Sequence, residues 1–253
     1  MPRPCLRHEA EQGLVQPMTP SSDGYRKEIA DITAHTDSYG RDGAFQRYWL
    51  GFTEESRNIN AQRTRALGEL LGRIAESLRG WRILDVGCGD GRCLRALLEL
   101  DARPEDVVGI DVSDARFDTG KARNPSVRLV KTDGVSFPFP SDHFDLVTQF
   151  MCFSNIPTAA LRRHTATEMA RVLKGGGHVF WWDLPRSTAP TDPGAPIEPA
   201  DYFDWPLTRQ AISRYPRPSE TLRYFPGRRY LGKLLDRFGH PPTHTAALIG
   251  PKP

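Results

Sequence analysis

The sequence predicts an α/β fold, a Rossmann-like, seven-stranded, mostly parallel sheet with helices on both faces. Three observations carry this. A short apolar run at residues 83–86 ends in three alternating glycines, Gly87, Gly89 and Gly91, and a helical apolar period follows, the pattern of strand, tight turn and helix. Apolar runs then alternate with amphipathic segments, as in a parallel sheet crossed by helices. Finally, Asp85, Asp111 and Asp133 stand at consecutive strand ends, the edge at which open parallel sheets bind ligands.

Residues 1–22 hold Pro2, Pro4, Pro17 and Pro20 with scattered charges and no period, which predicts a mobile tail. Residues 23–80 are expected to form N-terminal helices. Within them, Leu67, Leu70, Leu71, Ile74 and Leu78 mark one face of a helix over 59–78, with Arg63, Arg65, Glu69, Arg73 and Glu76 elsewhere. Gly80 is read as its closing residue. The first strand and glycine turn lead into a helix from Arg92 through Leu100. A second strand, 107–112, ends in Asp111, and Ser113 with Asp114 is expected to cap the next helix. A third strand covers 127–133, a fourth 144–150, and a helix 158–173 is read as ending at Gly175, Gly176 and Gly177. The fifth strand is 178–183.

Beyond it the texture changes. Residues 185–206 carry six prolines together with Tyr202, Phe203 and Trp205. A long irregular segment after a strand's ligand-facing end suggests a functional cap. The remainder, 207–253, reads as a short helix at 207–215, a strand at 219–225, a helix at 228–238 and a last strand at 243–249, these strands completing the sheet.

The glycine turn admits two ligand classes. A dinucleotide wants Gly-x-Gly-x-x-Gly, whereas here the spacing is Gly-x-Gly-x-Gly and Arg92 stands where the third glycine belongs. An acid just before the turn suits a ligand with a cationic amino-acid end better than a pyrophosphate. Missing Cβ atoms let backbone and ligand touch, and the N–H groups and dipole of the following helix are expected to favour an anionic group. Asp111 follows the glycines at the distance at which such folds place an acid on ribose hydroxyls.

The totals bound the class. The chain has 253 residues, 26% charged, with a net charge of +3, too small to argue for nucleic acid. Cys5, Cys88, Cys93 and Cys152 show neither metal-ligand spacing nor a companion His cluster, so no metal site is expected. No apolar run approaches the roughly 20 residues of a membrane helix, and no signal-peptide core opens the chain. A cytoplasmic protein without membrane or nucleic-acid partners is expected.

Residues 82–184 resemble the core of class I S-adenosylmethionine (SAM)-dependent methyltransferases, including the type 11 subset. The resemblance rests on Leu84-Asp85-Val86-Gly87-Cys88-Gly89-Asp90-Gly91, Gly109-Ile110-Asp111-Val112-Ser113, and Asp133 with Phe137-Pro138-Phe139. Phe144-Asp145-Leu146-Val147 and Arg171-Val172-Leu173-Lys174-Gly175-Gly176-Gly177 complete it. The ending, Thr243-His244-Thr245 to Lys252-Pro253, also looks like a bacterial subgroup of polysaccharide and natural-product enzymes. The resemblance implies SAM as methyl donor, S-adenosylhomocysteine (SAH) as product, and N-terminal helices acting as a lid. It implies that Asp85 and the backbone of Gly87, Cys88, Gly89 and Gly91 hold the methionine part, and that Asp111 accepts the ribose hydroxyls. Val112 would pack on adenine, Asp133 would accept its amino group near the Gly134 N–H, and Gln149 and Phe150 would border the sulfur and the acceptor.

For an acceptor that must lose a proton, a base at the strand ends is expected. Asp183, at the end of the fifth strand, is the first candidate and His244 the second. His178 begins the fifth strand on the far side, and His164 is expected in solvent. The aromatic cap suggests a small-molecule acceptor, most plausibly a hydroxyl of a sugar or specialised metabolite. A peptide, amine or nucleic-acid acceptor, or SAM binding without catalysis, are the other readings.

Overall fold

The computed structural model describes residues 23–41, 53–212 and 243–253. The expected tail at 1–22, strand at 219–225 and helix at 228–238 lie outside them. Among the described residues the first helices are α1 (Asp23–Arg41) and α2 (Glu54–Leu71). Next are β1 (Ile83–Val86), α3 (Leu94–Glu99), β2 (Val107–Asp111), α4 (Asp114–Arg123), β3 (Arg128–Lys131) and β4 (Phe144–Phe150). The chain continues through α5 (Ala159–Val172), β5 (Leu173–Asp183), β6 (Leu207–Ile212) and β7 (His244–Ile249).

The sheet has seven strands in the order β3-β2-β1-β4-β5-β7-β6. Strands β1 to β5 run parallel, and β7 pairs antiparallel with both β5 and β6. Strand order reverses at the β1/β4 boundary, β1 to β3 being added to one side and β4 and β5 to the other, which opens a crevice above their carboxyl ends. Alternating side chains feed two cores. On one face Leu84, Val86, Val147, Val179 and Trp181 meet Leu161, Met169 and Val172 of α5. On the other Ile83, Leu146, Phe180 and Trp182 meet Ile59, Leu67 and Leu70 of α2 and Leu94 and Leu97 of α3.

Several boundaries differ from the sequence reading. Helix α2 starts earlier, at a Thr53/Ser56 capping box, and ends at Gly72. Leu78 prolonged the apparent period because it is core, but it lies beyond the helix, and Ile74 is 37% exposed. Residues 207–212 form β6 rather than a helix. Their register from Leu207↔Ile249 to Ile212↔His244 satisfies the outer edge of β7, and that pairing overrides a weak local preference. The glycine run belongs to β5, with a register shift between Phe144↔Leu173 and Leu146↔His178. Gly176 N–H donates to the Lys252 carbonyl and Lys252 N–H to that of Gly177. Ser113 makes no side-chain cap of α4; its hydroxyl donates to Asp37.

That bond is one of the ties by which α1 reaches opposite banks of the crevice. Near its C-terminal end, Arg116 also donates to the Thr36 carbonyl at 3.1 Å. Toward its N-terminal end, Thr158 Oγ1 donates to Glu28 at 2.7 Å. Tyr25 stacks on His164, which is therefore not in solvent, with ring centroids 5.4 Å apart.

The segment after β5 folds back on itself through an Arg186↔Pro196 bridge and lays Tyr202 on Trp181 and Phe153. Its anchor is Arg162 of α5, 2% exposed. The guanidinium donates to the Ile156 carbonyl (3.1 Å), Ser187 Oγ (3.0 Å) and Asp192 Oδ2 (3.0 Å). Arg162→Ala removes the donor of all three and leaves buried acceptors behind, so a loss of about 2–4 kcal/mol is expected. A urea titration reads it, with amide exchange in residues 185–203 accelerating first.

Candidate functional site

The glycine turn is closed by its own backbone. Gly87 and Cys88 N–H both donate to the Ile110 carbonyl at 2.9 Å, Gly91 N–H to the Cys88 carbonyl at 2.9 Å, and Gly89 N–H to Asp111 Oδ2 at 2.7 Å. These amides are therefore not a phosphate cradle, and the six-residue α3 that follows adds little dipole. The expectation of an anion site in front of the helix is corrected accordingly. Asp90 locks the turn from outside through Arg92 and Arg123. Burial pushes its carboxyl up, but the two guanidinium groups outweigh that and hold it well below the usual carboxylate range.

Beside the turn lies an open cleft, walled by Ile29, Ile32 and Thr36 of α1, by Gly87, Asp111, Val112 and Gly134, and by Met151, Cys152, Asn155 and Ile156. Gly87 stands at φ +70, and a Cβ there would lie 2.8 Å from Cys152 Sγ; Gly134 stands at φ +74, with Val112 Cγ1 2.9 Å from the same point. Side chains at these positions would close the cleft as well as strain the backbone.

Of the residues singled out from sequence, Gly87, Asp111, Val112 and Gly134 line this cleft. Asp111 accepts the N–H groups of Gly89 and Ser113 (2.9 Å). Burial raises its carboxyl, opposed by Ser113, Arg116 and Gly89. Asp133 accepts the Val135 and Ser136 N–H groups through Oδ1. Cys88 is buried with its sulfur against Gly109. Gln149 is fully buried; its Oε1 accepts the Cys152 N–H at 2.9 Å, while its Nε2 has no partner. Phe150 is not in the cleft. One residue on from Gln149, it faces the other side of the sheet and packs on Phe180.

Nor does the structure bring the two candidate bases there. Asp183 is fully buried, and its oxygens accept the backbone N–H groups of Phe153, Ser154 and Leu184. His244 is 5% exposed and stacks on Trp182, on the α2 side.

Asp85 also faces the α2 side. Thr148 Oγ1 donates to its Oδ1 at 2.8 Å, while its buried Oδ2 has no partner. Burial lifts its carboxyl to about 7, opposed by Thr148, reinforced by Asp111 and opposed again by Arg63. Arg63 of α2 is 9% exposed; it donates to Asn60 through Nη1 (3.1 Å), but its buried Nε has no partner. Two opposite charges thus lie close enough to act on each other, each with an unsatisfied buried atom, beside the glycine turn. The sequence reading left Arg63 on the polar face. The signal was its phase: Ile59, Arg63, Ala66, Leu67 and Leu70 share one buried stripe.

A cleft at a topological switch point, a self-closed glycine turn, an acid at the end of β2 and a pair of opposite charges with unsatisfied buried atoms fit the class I methyltransferase arrangement. The comparisons agree. The methyltransferase domain family matches residues 83–177. Demethylmenaquinone methyltransferase of Staphylococcus aureus (strain JH9) is 31% identical over 170 residues, 64% of this chain and 68% of that protein. Among solved structures, a chain of the complex between the Haloferax volcanii Trm112 methyltransferase activator and a methyltransferase superposes with a TM-score of 0.56 at 18% identity, over 90% of this chain and 97% of that one. A SAM-dependent methyltransferase from Archaeoglobus fulgidus superposes with a TM-score of 0.53 at 15% identity, over 82% and 99%; these two likenesses show the fold. The chain belongs to the class I SAM-dependent methyltransferases. Among the described residues no helix is long and apolar enough to cross a membrane and no cluster could hold a metal ion.

Proposed function

We propose that this methyltransferase binds SAM across the β1, β2 and β4 ends and methylates a small, largely apolar acceptor. The observation that carries the donor assignment is the unsatisfied pair of Arg63 Nε and Asp85 Oδ2. A free α-amino acid end offers a carboxylate to the first and an ammonium to the second, whereas a pyrophosphate would set negative charge against Asp85. Asp111 would hold the ribose hydroxyls, Val112 and Gly134 would flank the adenine, and Asp133 would take its amino group through Oδ2. Helix α1 would serve as the lid. When bound, SAM supplies the methyl group as an electrophile. The chain's residues fix the donor's two ends and exclude water, and alignment alone can account for much of the acceleration.

The acceptor wall is read from Ile29, Ile32, Met151 and Ile156. Their apolar character favours a hydroxyl or ring of a specialised metabolite over a bare sugar, and fits the quinone acceptor named for the Staphylococcus relative. With Asp183 and His244 outside the cleft, neither is proposed as base. The natural-product subgroup remains part of this proposal.

Calorimetric titration with SAH tests the donor assignment; a cleft that binds a nicotinamide or flavin and ignores SAH would overturn it. For the acceptor, labelled SAM with demethylated quinols, phenolic metabolites and sugars should give a one-methyl mass gain on the apolar members. A gain confined to sugars would refute the acceptor class.

A further inference from the structure

The segment between β4 and α5 is held in an unfavourable shape by side chains from neighbouring strands. Met151 stands at φ +63, a left-handed backbone uncommon outside glycine. Its N–H donates to the Trp182 carbonyl at 2.7 Å and its carbonyl accepts Asn155 Nδ2 at 2.7 Å. Each of the next three amides ends on a side chain. Cys152 N–H donates to Gln149 Oε1, while Phe153 and Ser154 N–H donate to Asp183 Oδ2 at 2.9 and 3.3 Å. The other oxygen of Asp183 accepts Leu184 N–H at 2.8 Å. Met151, Cys152 and Asn155 are cleft wall, and Cys152 touches the Gly87 turn. The height of this segment therefore sets the width of the cleft over the turn.

We propose that Asp183 is a positioning residue: by holding the Phe153 and Ser154 amides it keeps Met151 and Cys152 at the height the methyl donor requires. The inference rests on the donor reading above, and it replaces the role of base expected for the same residue. A carboxylate suits the task, because its two oxygens accept from three N–H groups, two of the segment and one at the end of β5.

The state of that carboxylate gives a handle. Burial lifts it to about 6, opposed by Ser154, Leu184 and Phe153. The titratable group facing it from the segment is the Cys152 thiol, pushed well above its ordinary value by burial and by Asp183, Asp111 and Asp85. Strand β7 faces it in register with Thr245. The N–H groups of the segment hold the carboxyl below the value that burial alone would give it, so a buried carboxyl that loses them takes up a proton more readily, and acidification through about 6 should favour the loosened segment.

The test is amide hydrogen exchange on the full chain by mass spectrometry, corrected for intrinsic rates, with SAH as probe ligand in calorimetry. In the unmodified protein, protection of residues 151–156 should fall about tenfold from pH 8 to pH 5. Asp183→Asn should show the loose value at both, leave β1 and α2 protected, and bind SAH about tenfold more weakly at pH 8. Flat protection in the unmodified protein, or a folded variant whose segment stays protected, overturns the proposal. So does a loosened segment with unchanged SAH affinity, which would make Asp183 a local cap. If Asp183→Asn does not fold, the pH series decides alone. If the unmodified protein ignores SAH, the donor reading fails while the exchange series still reports on Asp183.

Discussion

Arg63→Ala is expected to weaken SAH binding about 100-fold while leaving methylthioadenosine, which lacks the amino-acid end, within about twofold. The argument is one of unsatisfied atoms. Arg63 is buried on α2 with Nε unpartnered, and Asp85 is buried on β1 with Oδ2 unpartnered. Hydrogen bonds to charged groups contribute about 1.5–3 kcal/mol each, and 1.4 kcal/mol is a factor of ten. Calorimetry with the two ligands separates loss of this clamp from loss of the fold, because methylthioadenosine keeps every nucleoside contact. Equal weakening of both ligands would refute the clamp. The pH dependence has a definite sign. Burial raises Asp85 to about 7, and an arriving ammonium favours its ionised form. SAH binding should therefore release a proton at and below that pH, and affinity should fall as the solution is acidified. Titrations in buffers of different ionisation enthalpy measure the proton count.

Asp111→Ala is expected to abolish measurable binding of both ligands, a loss of at least about 100-fold, with the chain still folded. Asp111 acts twice. It laces the glycine turn to the end of β2 through the Gly89 and Ser113 N–H groups, and it lines the cleft, where the proposed function gives it the ribose hydroxyls. Removal frees the turn and deletes the ribose acceptor together, so the nucleoside and the amino-acid end both lose their seats. Asp111→Asn should recover part of the affinity, since one acceptor oxygen survives. Unchanged affinity for methylthioadenosine in Asp111→Ala would contradict the assignment.

Features legible in the sequence were those that backbone geometry demands. Gly87 needs a left-handed φ beside Cys152, Asp111 must terminate a buried strand, and the order of β1 to β5 follows from alternating periods. What stayed hidden depended on which way a side chain turns. Asp183 and His244 do sit at strand ends, but the first is turned to the Phe153 and Ser154 amides and the second to Trp182. Phe150 misses the cleft by a single residue of strand parity. Residues 207–212 carry no strand signal of their own; only the partner edge of β7 reveals β6. Arg63 is charged, yet its position in the apolar stripe marks it as buried.

The ties of α1 have a kinetic consequence. One bank grips it through Glu28 and Tyr25, the other through Thr36 and Asp37, while its middle lines the cleft with Ile29 and Ile32. Such a crossbar must unlatch before spent product departs, so turnover should be paced by how often the bar lifts, and solvent viscosity should slow steady-state turnover while leaving a single turnover untouched.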